Sequence, residues 1–323
     1  MSARMHVGLI LTSFEQPALK VTPSWKEIEA RAKAAEDAGF DSIWVSDHLI
    51  HKFPGMDPYG IWECWSVLSA LAAVTKRVEI GTWVLCTGWR NPALLAKMAD
   101  TVDEISGGRL ILGLGAGWHE PEYTAFGFPF DNRVGRFIEA MQILDPLLRT
   151  GHVDFEGRFY SARDCELRPR GPRARGPKIM IGTIGGTPLA SKLGVTGTGE
   201  RMLDLVARHA DVWNVPWINE PAEVPAIHAM LDAACARVGR EPGSIQRTHG
   251  IMLDLPGWQD APGDAVTRSG RLDMGAFGGD LDALAERLRQ FERVGVGEVH
   301  VQIDPETPAD IERFGHVLER FRA

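Results

Sequence analysis

Apolar residues recur along this chain in two patterns, one typical of buried strands and the other typical of helices. Val78–Leu85 and Arg109–Leu114 are largely apolar runs of strand length, as expected for parallel strands that are covered on both faces. Between these runs, apolar residues from Leu94 to Ile105 return at the spacing of one helix face. The order of strand, helix and strand predicts a right-handed parallel crossover unit.

The same alternation continues along the chain as eight strand–helix pairs. The predicted strands are His6–Leu11, Phe40–Val45, Val78–Leu85, Arg109–Leu114, Lys178–Thr183, Val212–Val215, Thr248–Leu253 and Glu298–Ile303. The predicted helices are Trp25–Ala38, Ile61–Val74, Leu94–Ile105, Arg133–Arg149, Glu200–His209, Ala222–Val238, Leu281–Val294 and Pro308–Arg320. The segments Thr150–Pro177 and Pro256–Gly279 are longer than ordinary connections, and loops of that length tend to be lids or binding loops. We expect one α/β domain over residues 1–323, a single (β/α)8 TIM barrel with insertions after several strands.

Composition excludes several classes of function. The formal net charge of −8 argues against nucleic acid or an acidic membrane surface as a main partner. No stretch approaches the length of a membrane span, and the N-terminus lacks the pattern of a secretory signal. The four cysteines are widely spaced and form no CxxC pair, which fits a reduced cytoplasmic protein better than a disulfide framework or a zinc site. We therefore expect a cytoplasmic protein without a bound metal.

Polar side chains follow the ends of three consecutive predicted strands. Asp47 and His48 come just after Phe40–Val45, and Arg90 and Glu122 follow the next two strands. Ligands of parallel α/β folds bind at this carboxyl edge. A histidine beside an aspartate can act as an acid or a base near neutral pH, although a surface histidine near a helix start gives the same pattern. Glu122 likewise fits either an acid or a solvated loop carboxylate.

Two glycine-rich regions are candidates for cofactor contacts. Gly113, Gly115 and Gly117 do not form a Rossmann fingerprint, because Trp118 and a loop follow where a helix should begin. They fit better as positions where the backbone closely approaches a flat ring or a neighbouring loop.

The second region precedes the predicted helix Glu200–His209. Backbone N–H groups at a helix N-terminus bind anions, and Arg201 adds a positive charge. The candidate phosphate-binding residues are Gly182, Thr183, Gly185, Gly197, Gly199 and Arg201. Thr187–Thr196 separates the two glycine groups, so the sequence leaves open which group meets the phosphate.

Ordered blocks between about residue 5 and residue 218 resemble the luciferase-like monooxygenase superfamily of flavin and deazaflavin enzymes. The blocks are Trp44-Val45-Ser46-Asp47-His48, Arg90-Asn91-Pro92, Asp103–Arg109, Gly113–Trp118 with Glu122 and Tyr123, Arg133 with Arg136, Gly197–Arg201, and Ala210–Asn214. The Asp-His pair and the Gly113–Trp118 block are most similar to the branch that depends on coenzyme F420. The resemblance implies a TIM-barrel oxidoreductase that binds F420 non-covalently, transfers a hydride to or from a small organic substrate, and forms a homodimer.

The resemblance leaves two alternatives and implies roles for individual residues. The alternatives are an FMN-dependent monooxygenase that uses reduced flavin and O2, and a non-catalytic barrel that binds a flavin. In F420-dependent members a histidine at the position of His48 lies beside the reactive ring, so His48 is the first catalytic candidate. Asp47 would orient His48 or contact substrate, and Glu122 would act as an acid or accept hydrogen bonds from the ribityl hydroxyls. The neighbouring His51 is expected to be an exposed loop residue.

The resemblance also implies which residues support the cofactor ring. Thr82, Trp83 and Val84 correspond to a bulge, often with a cis non-prolyl peptide bond, that supports the ring; an ordinary buried strand end is the alternative. Trp83 stands where relatives usually have a smaller residue. The remaining candidate ring contacts are Gly115, Gly117 and Trp118. Substrate contacts are expected from Ile50–Trp65 and from the two long segments, which in this family cover the active site.

Overall fold

The fold is that of a computed structural model, which describes residues 4–184, 199–255, 276–304 and 306–323. Its strands in chain order are β1 (His6–Ile10), β2 (Ser42–Val45), β3 (Ile50–His51), β4 (Tyr59–Gly60), β5 (Glu79–Thr82), β6 (Leu85–Cys86), β7 (Leu110–Gly115), β8 (His152–Glu156), β9 (Ser161–Glu166), β10 (Lys178–Gly182), β11 (Val212–Val215), β12 (Gln246–Asp254), β13 (Phe277–Gly278) and β14 (Glu298–Ile303). Its α-helices are α1 (Trp25–Ala38), α2 (Cys64–Val74), α3 (Pro92–Ser106), α4 (Glu120–Phe126), α5 (Arg133–Thr150), α6 (Gly199–His209), α7 (Val224–Val238), α8 (Leu281–Arg293) and α9 (Pro308–Arg322).

Within the described residues, eight parallel strands close into a barrel. Their order around the barrel is β1, β2, β5, β7, β10, β11, β12 and β14, and β14 pairs again with β1. Each strand is buried on both sides, because one face meets the helices and the other meets the barrel interior. The predicted (β/α)8 barrel is confirmed.

Local sequence signals set the helix boundaries. Ser24 caps α1 in a capping box with Glu27, and Gly39 ends the helix in the left-handed conformation at φ 91°. Asn91 caps α3, whose first residue is Pro92. These helix ends are therefore set by residues that neighbour them in the sequence.

Large side chains fill the barrel interior. Trp44 is fully buried there among Ile10, Ile111, Met180 and Val212. Glycines on the neighbouring strands make room for the indole; for example, a Cβ atom added at Gly81 would lie 2.3 Å from the Trp44 ring. The lower part of the barrel is therefore a packed core.

The segment Thr150–Pro177 differs from its prediction as a lid. Its first half is the antiparallel hairpin β8–β9, which packs against α5. Its second half lies along α3, where Arg170 pairs with the buried Asp100 and Arg173 with the buried Asp103. All of this segment is described, and none of its residues lines the mouth of the barrel. The prediction of a lid is wrong here because these ion pairs fix the segment to the outside of the helices.

Most of the second long segment, Pro256–Gly279, lies outside the described residues. Among the residues that are described, no helix has the length and apolar character needed to cross a bilayer.

Candidate active site

A cavity of about 230 Å³ opens at the carboxyl ends of the barrel strands. It brings together residues that follow β2, β5, β7, β10 and β11. Ten of the residues selected from the sequence line it, namely Asp47, His48, Trp83, Val84, Gly115, Gly117, Trp118, Glu122, Gly182 and Thr183. The predicted edge of the barrel is therefore the edge that carries the cavity.

Glu122 and His48 form the central polar pair of this cavity. The Glu122 side chain is fully buried, and its Oε1 lies 2.7 Å from His48 Nδ1. Its other oxygen accepts hydrogen bonds from the backbone N–H groups of Leu49 and Ile50. The alternative of a solvated loop carboxylate is therefore wrong. A carboxylate that accepts from Nδ1–H leaves Nε2 of a neutral imidazole as a proton acceptor.

Asp47 does not take the orienting role that its position beside His48 suggests. Its carboxylate accepts a bidentate pair of hydrogen bonds from Arg90, at 2.8 and 2.9 Å, and another from the backbone N–H of Cys86 at 2.7 Å. Successive side chains at the end of a strand point in opposite directions, so neighbours in sequence are poorly placed to contact each other. Orientation of His48 by Asp47 is thus a wrong prediction, and the orienting carboxylate is Glu122.

The carboxylates of Asp47 and Glu63 offset the effect of burial on the charge of Arg90. Burial alone would lower the pKa of the Arg90 guanidinium, but Asp47 and Glu63 raise it above its ordinary value. Arg90 also donates to Glu63, which caps the start of α2. The pair therefore ties the loops after β2 and β5 to the helix that follows β2.

The chain bends at Trp83–Val84, where the structure has a cis non-prolyl peptide bond. Val84 then projects into the cavity between two glycines. A Cβ atom added at Gly115 or at Gly182 would lie 2.9 or 2.8 Å from the Val84 side chain. Glycine is therefore required at these two positions, because Val84 approaches both of them closely. The alternative that Thr82, Trp83 and Val84 form an ordinary strand end is excluded.

Aromatic and histidine rings form the outer wall of the cavity. The His51 ring lies 4.2 Å from the His48 ring and 4.9 Å from the Tyr59 ring, measured between centroids. His51 lies on the short β3–β4 hairpin and lines the cavity, so its prediction as an exposed loop residue is wrong. Phe53, from the same hairpin, stacks on Trp118. The predicted segment Ile50–Trp65 thus supplies part of the wall.

Two further cavity residues have pKa values that burial shifts. Burial lowers the pKa of His119, whose Nε2 accepts a hydrogen bond from the backbone N–H of Lys52. Burial raises the pKa of the Cys86 thiol to about 12, and Cys86 Sγ lies 2.8 Å from the hydroxyl of Tyr123. Both residues are therefore uncharged parts of the wall near neutral pH.

The remaining sequence candidates lie away from the cavity or outside the described residues. Thr82 is fully buried and donates a hydrogen bond to the carbonyl oxygen of Gly113. Gly199 begins α6, and Arg201 is exposed on its first turn, one residue before Met202, which does line the cavity. The candidates Gly185 and Gly197 and the segment Thr187–Thr196 lie outside the described residues.

Sequence reasoning missed several lining residues, which include Phe14, Asn214, Met252 and Gln302. Most of them lie at or just after the end of a barrel strand, where the last residues face the mouth. That position in the chain is the signal that could have identified them. In the described part of the chain, no group of three or more potential ligand side chains is arranged to hold a metal ion.

Comparisons with known proteins agree with this architecture. A family model described as luciferase-like monooxygenase matches residues 5–254. The pyrimidine monooxygenase RutA of Cronobacter sakazakii is 32% identical over 234 residues, which are 69% of this chain and 63% of that protein. The chain thus spans somewhat less than two thirds of the length of this curated relative.

Two solved structures illustrate the likeness in fold. An F420-dependent secondary alcohol dehydrogenase in complex with an F420–acetone adduct has a TM-score of 0.79 at 17% identity. Monooxygenase RslO1 from Streptomyces bottropensis has a TM-score of 0.76 at 22% identity. In each case the match covers 99% of this chain and 100% of the other. At these identities the structures support the barrel fold alone.

Proposed function

The chain belongs to the luciferase-like monooxygenase family, whose members are flavin or deazaflavin oxidoreductases, and on that premise we propose a specific chemistry. We propose that the cavity binds coenzyme F420 non-covalently, and that the enzyme transfers a hydride between this cofactor and a small organic substrate. The Glu122–His48 pair beside the bend at Trp83–Val84 carries the proton chemistry of this proposal, and the preference for F420 rests on the resemblance of Asp47-His48 and Gly113–Trp118 to the F420-dependent branch.

The cavity suits a flat ring with a polar edge. Trp83, Val84 and Trp217 supply apolar walls, and Asn214 and Gln302 supply hydrogen-bonding groups farther in. Cofactor sites are typically apolar clefts with a few polar groups that fix the orientation of the ligand. The ring would lie against Val84, with its reactive side toward His48.

His48 supplies the proton chemistry in this proposal. When bound, the deazaflavin ring supplies the hydride donor or acceptor. Hydride transfer at a substrate carbon is accompanied by proton transfer at the substrate heteroatom, and the proton needs an acceptor or donor within hydrogen-bond reach. Because Glu122 holds Nδ1, Nε2 of His48 is the atom that takes or gives this proton.

The cofactor phosphate is proposed to bind at the first turn of α6. The exposed Arg201 supplies positive charge, and the backbone N–H groups at the start of this eleven-residue helix supply hydrogen-bond donors. A charge-assisted hydrogen bond contributes about 1.5–3 kcal/mol, so Arg201→Ala is expected to weaken F420 binding about tenfold or more. Arg208→Ala, at the exposed other end of the same helix, is the matched control and should bind F420 normally. Normal F420 binding by the Arg201 variant would refute this phosphate site but would not contradict the rest of the proposal.

An FMN-dependent monooxygenase is the second candidate. It is favoured by the relative at 32% identity, which is itself a monooxygenase. The His48–Glu122 pair does not separate the two candidates, because a proton-handling histidine beside the ring fits both.

Parallel fluorescence titrations with F420 and with FMN test the choice. We expect F420 to bind at least tenfold more tightly than FMN. Equal or reversed affinities would favour the monooxygenase, and oxygen uptake with reduced FMN would then identify it. Tight binding without turnover on any substrate of a panel would indicate a non-catalytic binding protein. A homodimer is proposed as well, and light scattering of the purified protein tests it.

A further inference from the structure

A series of buried polar side chains lies directly beneath the cavity. It starts from β14, where Glu298 and His300 face the barrel interior and are 1% and 0% exposed. Gln302, two residues farther along the same strand, already lines the cavity. Alternate residues of a barrel strand share one face, so these side chains occupy successive levels from the core to the mouth.

His300 holds the indole of Trp83 from below. The Trp83 Nε1–H group donates a hydrogen bond of 2.9 Å to His300 Nδ1. Trp83 also packs edge-on against Trp217, with ring centroids 4.9 Å apart. Gly250 leaves room for the indole, since a Cβ atom added there would lie 2.4 Å from the Trp83 ring. Trp83 is thus held on its polar edge by one hydrogen bond and on its apolar faces by close packing.

The hydrogen-bond network fixes which nitrogen of His300 carries a proton. An indole N–H can only donate, so His300 Nδ1 must accept from Trp83 and is unprotonated. The Asn214 amide agrees with this assignment: its Nδ2 lies 3.2 Å from His300 Nδ1 and donates to Thr248 Oγ1, whose own hydroxyl bonds to a backbone carbonyl. His300 is therefore neutral, with its proton on Nε2.

Glu298 supplies the group that faces this proton. Its Oε1 lies 3.6 Å from His300 Nε2. Ser42 donates its hydroxyl proton to the same oxygen, because Ser42 Oγ already accepts from Trp44 Nε1 at 2.6 Å. The Trp44 ring lies 4.1 Å from the His300 ring and covers it. Ser42 Oγ and His300 Nε2 thus both face Glu298 Oε1, while His300 Nδ1 accepts the hydrogen bond from Trp83.

We propose that His300 is a positioning residue for the cavity: it fixes the Trp83 indole from beneath, with Glu298 beside the opposite nitrogen of its ring. The orientation of Trp83 sets the shape of the floor on which a bound ring lies next to Val84. The identity of the bound ring as F420 or FMN rests on the proposed function. The hydrogen bond between Trp83 and His300 does not depend on it.

Two substitutions of nearly equal size isolate the hydrogen bond. His300→Asn and His300→Leu both remove the imidazole and its contact with Trp44, but only asparagine keeps an acceptor near the position of Nδ1. The first readout is the indole region of the ¹H–¹⁵N spectrum without any cofactor, in which Trp83→Phe identifies the Trp83 signal. His300→Leu is expected to shift this signal and speed its hydrogen exchange, whereas His300→Asn should keep both close to the parent protein.

The second readout is the dissociation constant for F420 or FMN, whichever the parent protein binds. His300→Leu is expected to weaken binding about tenfold relative to His300→Asn, the scale of a buried donor left without its acceptor. In the Trp83→Phe background the two variants should bind alike, because the indole N–H is gone. His228→Gln, a buried histidine outside the cavity lining, controls for general destabilisation and should not change the affinity.

The proposal is overturned if the asparagine and leucine variants give the same indole spectrum, or if their difference in affinity persists without Trp83. Should the leucine variant fail to fold, the ¹⁵N spectrum of His300 in the parent protein decides: an unprotonated Nδ1 near neutral pH is expected, and a protonated Nδ1 would overturn the proposal. Failure of the parent protein to bind either cofactor would instead contradict the proposed function and leave the spectroscopic tests valid.

Discussion

Replacing Glu122 by glutamine tests whether Glu122 determines which nitrogen of His48 carries the proton. The glutamine oxygen must face the backbone N–H groups of Leu49 and Ile50, because those groups can only donate. The amide NH2 is then directed at His48 Nδ1, which must accept. The proton of a neutral His48 moves to Nε2, and the group that faces the substrate changes from an acceptor to a donor.

The expected effect on turnover is large, and the effect on stability is moderate. A catalytic base that carries its proton on the wrong atom loses general-base assistance, which contributes about 10²- to 10⁴-fold to the rate. The side chain keeps its size and its partners, but its hydrogen bonds with His48 and with the two backbone N–H groups become neutral instead of charge-assisted. That exchange costs about 1–2 kcal/mol of unfolding free energy, so the variant should remain folded.

The assay compares kcat of the parent enzyme and of Glu122→Gln for one substrate in the direction that needs a base, with urea unfolding measured alongside. Glu120→Gln makes the same change at an exposed position of the same helix and should keep full activity. The ¹⁵N spectrum of His48 should show protonated Nδ1 in the parent enzyme and protonated Nε2 in the variant. A fall in kcat of less than about tenfold, or an unchanged tautomer, would refute the role given to Glu122.

Three further predictions concern stability. Arg90→Ala leaves the Asp47 carboxylate buried without its cation and should lower the unfolding free energy by about 3–5 kcal/mol in urea; a loss below about 1 kcal/mol would contradict the importance of the pair. Gly117→Ala should cost about 2 kcal/mol or more, because φ is 75° and the new Cβ atom would lie 1.9 Å from a tyrosine hydroxyl; a Tm equal to the parent value would show that the loop adapts freely. Burial lowers the pKa of His228 to about 4 and that of His249 to about 3, so between these values and the ordinary 6.5 the unfolded chain binds more protons than the folded one. Stability should therefore fall by about 2 kcal/mol per histidine between about pH 8 and about pH 5, and replacing both by glutamine should flatten this slope in urea titrations.

The barrel could be predicted because its signals are local. Strands buried on both faces are continuous apolar runs, and caps such as Ser24 and Gly39 mark helix ends from neighbouring residues alone. The run Val78–Leu85 shows the limit of such signals. Its apolar pattern predicts one strand, whereas the bend at Trp83–Val84, which only the family resemblance implies, divides it into β5 and β6. The apolar pattern carries no trace of this bend.

The partners within the candidate site were harder to predict, because they depend on closure of the barrel. His48 and Glu122 are 74 positions apart and meet only where the loops after β2 and β7 converge. The sequence instead favours Asp47, the adjacent carboxylate, which strand geometry directs elsewhere. The hairpin β8–β9 is hard to predict for a different reason: Val153 and Phe155 alternate with polar residues over only five positions of β8, and β9 is mostly polar and exposed.

A crystal structure of the protein with F420 tests the central claim most directly, since that claim concerns where the ring lies. The account predicts a ring in contact with Val84 above Trp83, with its reactive carbon near His48 Nε2 and its phosphate near the start of α6. A ring bound elsewhere, or bound in this cavity with its reactive side turned away from His48, would contradict the account.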